Sequence, residues 1–258
     1  MAQDQGAYPH PLKRIVYFVR HGEREDLAQM EKLNPDGQDD TTKDLIKRNT
    51  LLSDFGKTQS FVTGVSIAQT LKPRIVQGAK ILIMSSPYLR CLQTAFQIMM
   101  GMQYEGVMLN DPTIYYTDFL KEYQNQKTKM TKEEMATEIQ KLNLPENITI
   151  TEGGDQLPFE VTSETPGLSF VRTRVFIDKL ASDTLEINGV KPDVVICVTH
   201  QFFMINLYFQ HMQMMEAYGL IDYCSFGRLL IDRKGHTKVD IVNHHQHLDK
   251  LSFFHQKL

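Results

Sequence analysis

The chain is poor in cysteine. Its 258 residues hold three, Cys91, Cys197 and Cys224, with no Cys-x-x-Cys pair. An odd, scattered set inside apolar segments reads as buried thiols in a reducing compartment rather than a disulfide framework. No apolar run is long enough to span a bilayer. An excess of one charge is also lacking. The formal net charge is -3 and the isoelectric point is near 6.3, so nothing points to nucleic acid or an anionic membrane as a partner. Met1 to His10 has neither the apolar core of a signal peptide nor the arginines of a transit peptide. Residues 1–12 therefore read as a flexible lead-in to a cytoplasmic protein. Repeats, low-complexity tracts and linkers are absent, and residues 1–258 read as a single domain.

What the chain does hold is core-forming sequence. Hydrophobic residues make up 41% and charged residues 23%, enough for a sizeable interior. The densest run, Ile15-Val16-Tyr17-Phe18-Val19, reads as a strand buried on both faces. It breaks off at Arg20-His21-Gly22-Glu23. A cation, an imidazole and a glycine, which lets the backbone come close to a ligand, thus stand where a buried strand opens into a loop. In a parallel α/β sheet that carboxyl end is where ligands bind. Beside the fixed charge of Arg20, His21 is expected to stay neutral and nucleophilic near pH 7.

The remaining segments follow in order. Residues 23–50 are polar, with Asn34-Pro35-Asp36-Gly37 as a turn, and form a long excursion at the mouth of that site. Ser53 or Asp54 caps a helix over residues 55–71, which Pro73 stops. Lys80 to Met84 is a second buried strand. It runs into Ser85-Ser86-Pro87, where Ser86 suits an N-cap and Pro87 the first position of a helix reaching Gly101. Residues 104–109 read as a further strand, 117–123 as a short helix or loop, and 131–142 as an exposed helix. Residues 110–166 form a variable insertion region, irregular from Pro145 onward. Thr165-Pro166 opens a helix over 167–180. Asp193 to Thr199 is the third buried strand and ends at His200. A Met- and Phe-rich helix follows over 202–217, and 229–242 read as a closing hairpin. This alternation predicts an α/β domain, a three-layer αβα sandwich with a mostly parallel central sheet.

Three buried strands therefore end in three polar signals: Arg20-His21, Ser85-Ser86 leading to Arg90, and His200. Right-handed crossovers between parallel neighbours bring such ends to one edge of the sheet. Two histidines and two arginines in one place suit a transferring phosphoryl group, whose transition state spreads negative charge over its oxygens. One histidine can hold phosphorus covalently, the other can donate to the non-bridging oxygens, and a carboxylic acid must protonate the leaving alkoxide.

Arg20-His21-Gly22-Glu23 after such a strand resembles the signature of the histidine phosphatase superfamily, the phosphoglycerate mutase-like fold. Ser85 to Ala95 is similar to its second motif, with Arg90 as the phosphate clamp. Leu52-Ser53 with Gly56 and Gln59 resembles its loop-helix motif. Leu120-Lys121-Glu122 resembles the segment from which the first branch draws its acid. Phe170 to Arg174 resembles the helix before the second histidine, and Asn243 with His247-Leu248 the C-terminal pattern. The resemblance implies His21 as the phosphorylated nucleophile, Arg20, Arg90 and His200 as the phosphate pocket, Glu122 as proton donor and Ser53 as an accessory phosphate contact. It implies no metal and no organic cofactor. After His200 the family has small residues, or an aspartate in its second branch, whereas this chain has Gln201-Phe202. That departure points to the first branch and to Glu122. The Ser-Ser-Pro stretch and short first motif look most like the ubiquitin-associated, SH3-domain-containing phosphatases.

Other readings stay open beside these. Glu23 and Glu25 compete with Glu122 for the acid role, and Ser53 can serve as a helix cap alone. His244-His245 and His247 suggest a metal, but no carboxylate or thiol joins them at suitable spacing, which favours a surface terminus. Met204, Met212, Met214 and Met215 read as core and interface packing, which leaves a homo-oligomer open. The expected function is a phosphomonoester hydrolase acting on a small-molecule or protein phosphoester. The bulk of Gln201 and Phe202 leaves open a catalytically weak or silent binding subunit, and a phosphoglycerate mutase is the further alternative.

Overall fold

A computed structural model describes residues 11–33, 49–75, 78–109, 111–123, 131–153, 164–187, 189–212, 221–249 and 251. The lead-in at 1–10, the turn expected at Asn34-Pro35-Asp36-Gly37, the middle of the insertion region and the helix expected beyond Met212 lie outside the described residues. The elements are β1 (Leu12–Arg20), α1 (Glu25–Leu33), α2 (Asp54–Ile75), β2 (Ile81–Ser85), α3 (Leu89–Tyr104), β3 (Thr113–Tyr116), α4 (Lys132–Gln140), β4 (Thr149–Glu152), α5 (Pro166–Ala181), β5 (Val194–Thr199), α6 (Gln201–Met212), β6 (Phe226–Asp232) and β7 (Thr237–His244). Among the described residues the strands form one sheet in the order β4-β3-β2-β5-β1-β6-β7. From β4 through β1 every pairing is parallel. Only β6 runs antiparallel to both its neighbours.

The period-two geometry of β1 explains its apolar run. Ile15, Tyr17 and Val19 face one core with Ile67 and Leu71 of α2 and Leu92 and Ile98 of α3. Val16 and Phe18 face the other with Phe176 and Leu180 of α5 and Phe203 and Leu207 of α6. A strand covered by helices on both faces has no solvent side on which to place polar residues. The result is the α/β sandwich that the sequence predicts. No helix among the described residues is long and apolar enough to cross a membrane.

Layer α2/α3 is drawn close by two glycines. A Cβ on Gly64 would lie 2.1 Å from the Ile98 carbonyl oxygen, and one on Gly101 2.1 Å from that of Phe61. The two backbones thus touch where a side chain would hold them apart.

Several expectations need correction. Helix α2 continues to Ile75, so Pro73 lies in its last turn and does not stop it. The strand expected over 104–109 is instead the last residue of α3 and the turn and loop that follow it. Val107 N–H bonds Met102 O at 3.0 Å and Gly106 N–H bonds Gln103 O at 2.9 Å, while Gly106 takes φ +84°. That is a left-handed helix stop with buried Val107 as its apolar anchor. The polar stretch 23–50 contains α1, and the irregular part of the insertion region contains β4. Ser86 does not cap α3: Tyr88 holds that position, without a side-chain bond.

Candidate active site

The sheet order places β5 between β2 and β1. Arg20 is level with Thr199, and Ser85 with Val198. The residues that follow, His21, His200 and Ser86, therefore emerge side by side. Backbone bonds tie these exits together: His21 N–H to Thr199 O at 3.0 Å, Ser86 N–H to Val198 O at 2.9 Å and Arg20 N–H to Ser225 O at 3.1 Å. Helices α3 and α6 begin at this edge, Arg90 in the first turn of one and Gln201 opening the other. The aligned peptide dipoles at these two helix starts add positive potential there.

The His21 and His200 rings meet edge to face with centroids 5.2 Å apart. His21 Nδ1 lies 2.8 Å from the Gly22 carbonyl oxygen. A carbonyl only accepts, so Nδ1 carries the proton and the lone pair is on Nε2. Burial first, then Arg90, His200 and Arg20, hold His21 well below its usual range, so it stays uncharged. The loop carrying it needs a glycine. A Cβ on Gly22 would lie 2.6 Å from Gly56 O, and Gly22 N–H donates to Thr94 Oγ1 at 3.0 Å.

His200 is fully buried. Its Nδ1 is 3.2 Å from Glu122 Oε2 and 3.3 Å from Arg90 Nη2. A carboxylate at that distance calls for the proton on Nδ1, which leaves Nε2 to accept from Ser86 Oγ at 2.9 Å. Burial lowers His200 to about 4 against the opposing pull of Glu122. Burial pushes Glu122 up, but His200, Arg90 and Arg20 outweigh it and hold the carboxylate at about 2. Arg90 Nη2 approaches Glu122 Oε2 at 3.8 Å. Arg20 lies over the Tyr223 ring at 4.0 Å and donates through Nη1 to Ile221 O. Its buried Nε has no hydrogen-bond partner among the described residues. His21 and His200 are buried, whereas 30% of the Glu122 side chain is exposed.

The structure thus gathers Arg20, His21, Arg90, Glu122 and His200 into one group. Ser53 is held elsewhere. Its Oγ accepts from Gly56 N–H at 2.9 Å, capping α2, and donates to Glu23 Oε1 at 2.6 Å. No described hydrogen bond links it to His21, Arg90 or His200. Glu23, Glu25 and Ser53 line a cleft of about 1060 Å³ between α1 and the start of α2, with Lys32 and Asp54. His247 donates or accepts at Thr63 Oγ1, 2.9 Å from its Nε2, and packs on Phe226 rather than standing free at a surface terminus. One ligand atom from each of His21, Glu122 and His200 lies within 4.8 Å of the others, the reach of a metal ion. The two guanidiniums beside them repel a cation and attract an anion.

Sequence reasoning missed the groups that set this arrangement. Arg172 of α5 is fully buried. It donates to Phe119 O at 2.6 Å and Lys121 O at 3.0 Å, and pairs with Glu164 at 2.7 Å. Thr199 Oγ1 donates to Leu120 O at 2.9 Å. The Tyr223 ring lies tilted at 45° to His21 with centroids 5.6 Å apart, and Tyr88 lies edge-on to His200 at 5.4 Å. Cys91 Sγ sits 3.4 Å from His200 Nε2, with burial pushing the thiol up to about 12, so it packs there as an unreactive group.

No protein-family model and no curated protein sequence matches the chain. Solved structures do match in shape. A phosphoglycerate mutase from Bacillus anthracis aligns with TM-score 0.55 at 14% identity, over 92% of this chain and 96% of that one. The ecdysone phosphate phosphatase from Bombix mori, in complex with tungstate, aligns with TM-score 0.52 at 19% identity, over 90% and 93%. A mycobacterial hydrolase aligns with TM-score 0.50 at 18% identity, over 90% and 98%. At such identities the likeness establishes the fold alone, a phosphoglycerate mutase-like α/β fold.

Proposed function

We propose that the chain is a phosphomonoester hydrolase working through a covalent phosphohistidine on His21. The observation that carries this is His21 itself: a neutral imidazole anchored through Nδ1, with no described hydrogen bond at Nε2, facing a second histidine beside the buried Arg90 and the half-buried Arg20. In the first step the Nε2 lone pair forms the P–N bond while the P–O bond to the leaving group breaks. Glu122 gives its proton to the departing oxygen. In the second step water attacks phosphorus, its proton passes to the Glu122 carboxylate, and the P–N electrons return to His21 as phosphate leaves. Arg20 and Arg90 meet the charge on the equatorial oxygens, and His200 joins them when it takes up a proton and Nε2 donates.

The low value of Glu122 fits an acid that loads with substrate. A phosphoryl group arriving beside Glu122 and His200 brings negative charge and competes for the same guanidiniums. Both effects raise the affinity of the two groups for protons. A phosphomonoester whose second ionisation lies near pH ~6 brings the proton with it. We read Glu122, with Gln201 in place of an acid after His200, as placing the chain in the first branch of the histidine phosphatases. The closer likeness to the ubiquitin-associated, SH3-domain-containing phosphatases rests on Ser85-Ser86-Pro87 and the short first motif.

The test is hydrolysis of p-nitrophenyl phosphate. Wild type is expected to turn over and His21→Ala to lose activity entirely. An alkaline quench of radiolabelled substrate is expected to trap label on wild type but not on the variant. Activity that survives His21→Ala removes the mechanism.

A further inference from the structure

We infer that Phe202 is a positioning residue for the acid step, holding Glu122 against His200 by stacking on Tyr123. This rests on the phosphatase reading above and explains the phenylalanine two residues after His200. The backbone before Glu122 is anchored at three consecutive carbonyls. Phe119 O and Lys121 O accept from Arg172, and Leu120 O accepts from Thr199 Oγ1. After Glu122 the situation differs. Among the described residues no hydrogen bond or ion pair holds Tyr123. What it has is the Phe202 ring, stacked at 4.9 Å between centroids and 28° between planes.

Phe202 stands two residues beyond His200, in the first turn of α6. One short, rigid stretch therefore supplies both restraints on the acid. His200 Nδ1 holds the carboxylate directly at 3.2 Å, and Phe202 holds the backbone just past it through the Tyr123 ring. The neighbouring Phe203 turns to the core instead. Phe203 is buried against Phe18 at 5.5 Å, while Phe202 remains half-buried over the Tyr123 loop. A small residue at 202 would leave Glu122 tethered from one side only, free to swing out of reach of the leaving oxygen. Acid catalysis is lost by displacements of that kind, since the proton must pass over hydrogen-bond distance.

The test exploits the leaving group. Phenyl phosphate needs a proton on its departing oxygen, whereas dinitrophenyl phosphate departs as a stable anion. Phe202→Ala and Tyr123→Ala, each measured against wild type and Phe202→Tyr, separate positioning from folding, because Tyr123 lies on a loop outside both cores. The expected result is a fall in kcat/KM of about 10-fold or more on phenyl phosphate, with kcat/KM on dinitrophenyl phosphate changed by no more than about 3-fold, because this ratio reports transfer to His21 and not the hydrolysis of phosphohistidine common to both substrates. Phe202→Tyr, which keeps the stack, is expected to restore the lost rate. Equal losses on both substrates, or no loss on either, in the two alanine variants would overturn the inference while leaving the phosphatase reading intact. A wild type silent on both substrates that also fails to bind tungstate overturns that reading, and the inference with it.

Discussion

Arg172 is the largest side chain among the fully buried ones, and its guanidinium is fully engaged. Its fork pairs both Glu164 oxygens, at 2.7 and 2.9 Å, and the remaining donors reach two carbonyls of the acid loop. Removing the cation strands a buried carboxylate and frees those carbonyls together. Arg172→Met is expected to cost about 3 kcal/mol in urea unfolding, and to lower activity on poor leaving groups by loosening the stretch that carries Glu122. Arg172→Lys keeps the charge but not the fork and should recover only part of either loss. At Glu122 itself the prediction concerns pH. His21 remains neutral through mild acid because its value is held well below 6.5, so acidification does not remove the nucleophile. Raising the pH through about 6 strips the phosphoester of the proton that an ionised Glu122 must borrow. Wild-type kcat/KM is therefore expected to be highest on the acid side and to fall towards pH 8. Glu122→Gln cannot relay the proton. It should be about 100-fold slower on phenyl phosphate, with that fall flattened. A variant whose profile overlays the wild type's would place the acid elsewhere, with Glu23 and Glu25 next to test.

Helix α2 lies against α3 at a distance that glycine sets. At Gly101 an added methyl group would meet the Phe61 carbonyl at 2.1 Å, and a backbone oxygen cannot rotate away as a side chain can. Alanine's better helix propensity, about 1 kcal/mol, recovers less than the overpacking costs. A net loss of about 2 kcal/mol is expected for Gly101→Ala by urea unfolding, and unchanged stability would mean the helices separate freely. This contact was not legible in the sequence, where Gly101 reads as a helix end. Strands β1, β2 and β5 were legible, because a strand covered on both faces shows as an unbroken apolar run. Their polar ends gave away Arg20, His21, Arg90 and His200. Strands β3 and β4, four residues each, are too short to stand out from turns. Ser86 before Pro87 satisfies the local rule for a helix cap, yet its hydroxyl goes to His200, 114 residues away. The Arg172 and Tyr123–Phe202 contacts escaped for the same reason: each joins segments far apart in sequence, and neither partner carries a local pattern. What one chain displays is periodicity and capping chemistry, and what it conceals is pairing across the fold.

At the scale of the whole molecule, burying neutral histidines makes folding depend on pH. His21 is held well below 6.5, and His200 and His247 are each lowered to about 4, in every case chiefly by burial. In the unfolded chain all three regain their ordinary value of 6.5. As pH falls below that value, the unfolded state takes up protons that the folded state refuses, so acid favours unfolding. For His200 and His247 the loss accumulates between pH 6.5 and about 4 and then stops, since below that both states are protonated. Glu122 works in a separate window. Its value of about 2 stabilises the fold at neutral pH, and that contribution is lost only as pH falls below 4.5 towards 2. A scan from pH 7 to 5 therefore isolates the histidines. The unfolding midpoint is expected to drop across it, and His247→Asn, outside the candidate active site, should make the drop shallower. Tungstate should raise the midpoint, and more so at pH 5 than at pH 7, because an anion beside His200 draws a proton onto it and reverses part of the acid penalty. A midpoint that stays level from pH 7 to 5 would mean that these imidazoles reach water in the folded protein. A lowered His21, and the nucleophile built on it, could not then hold.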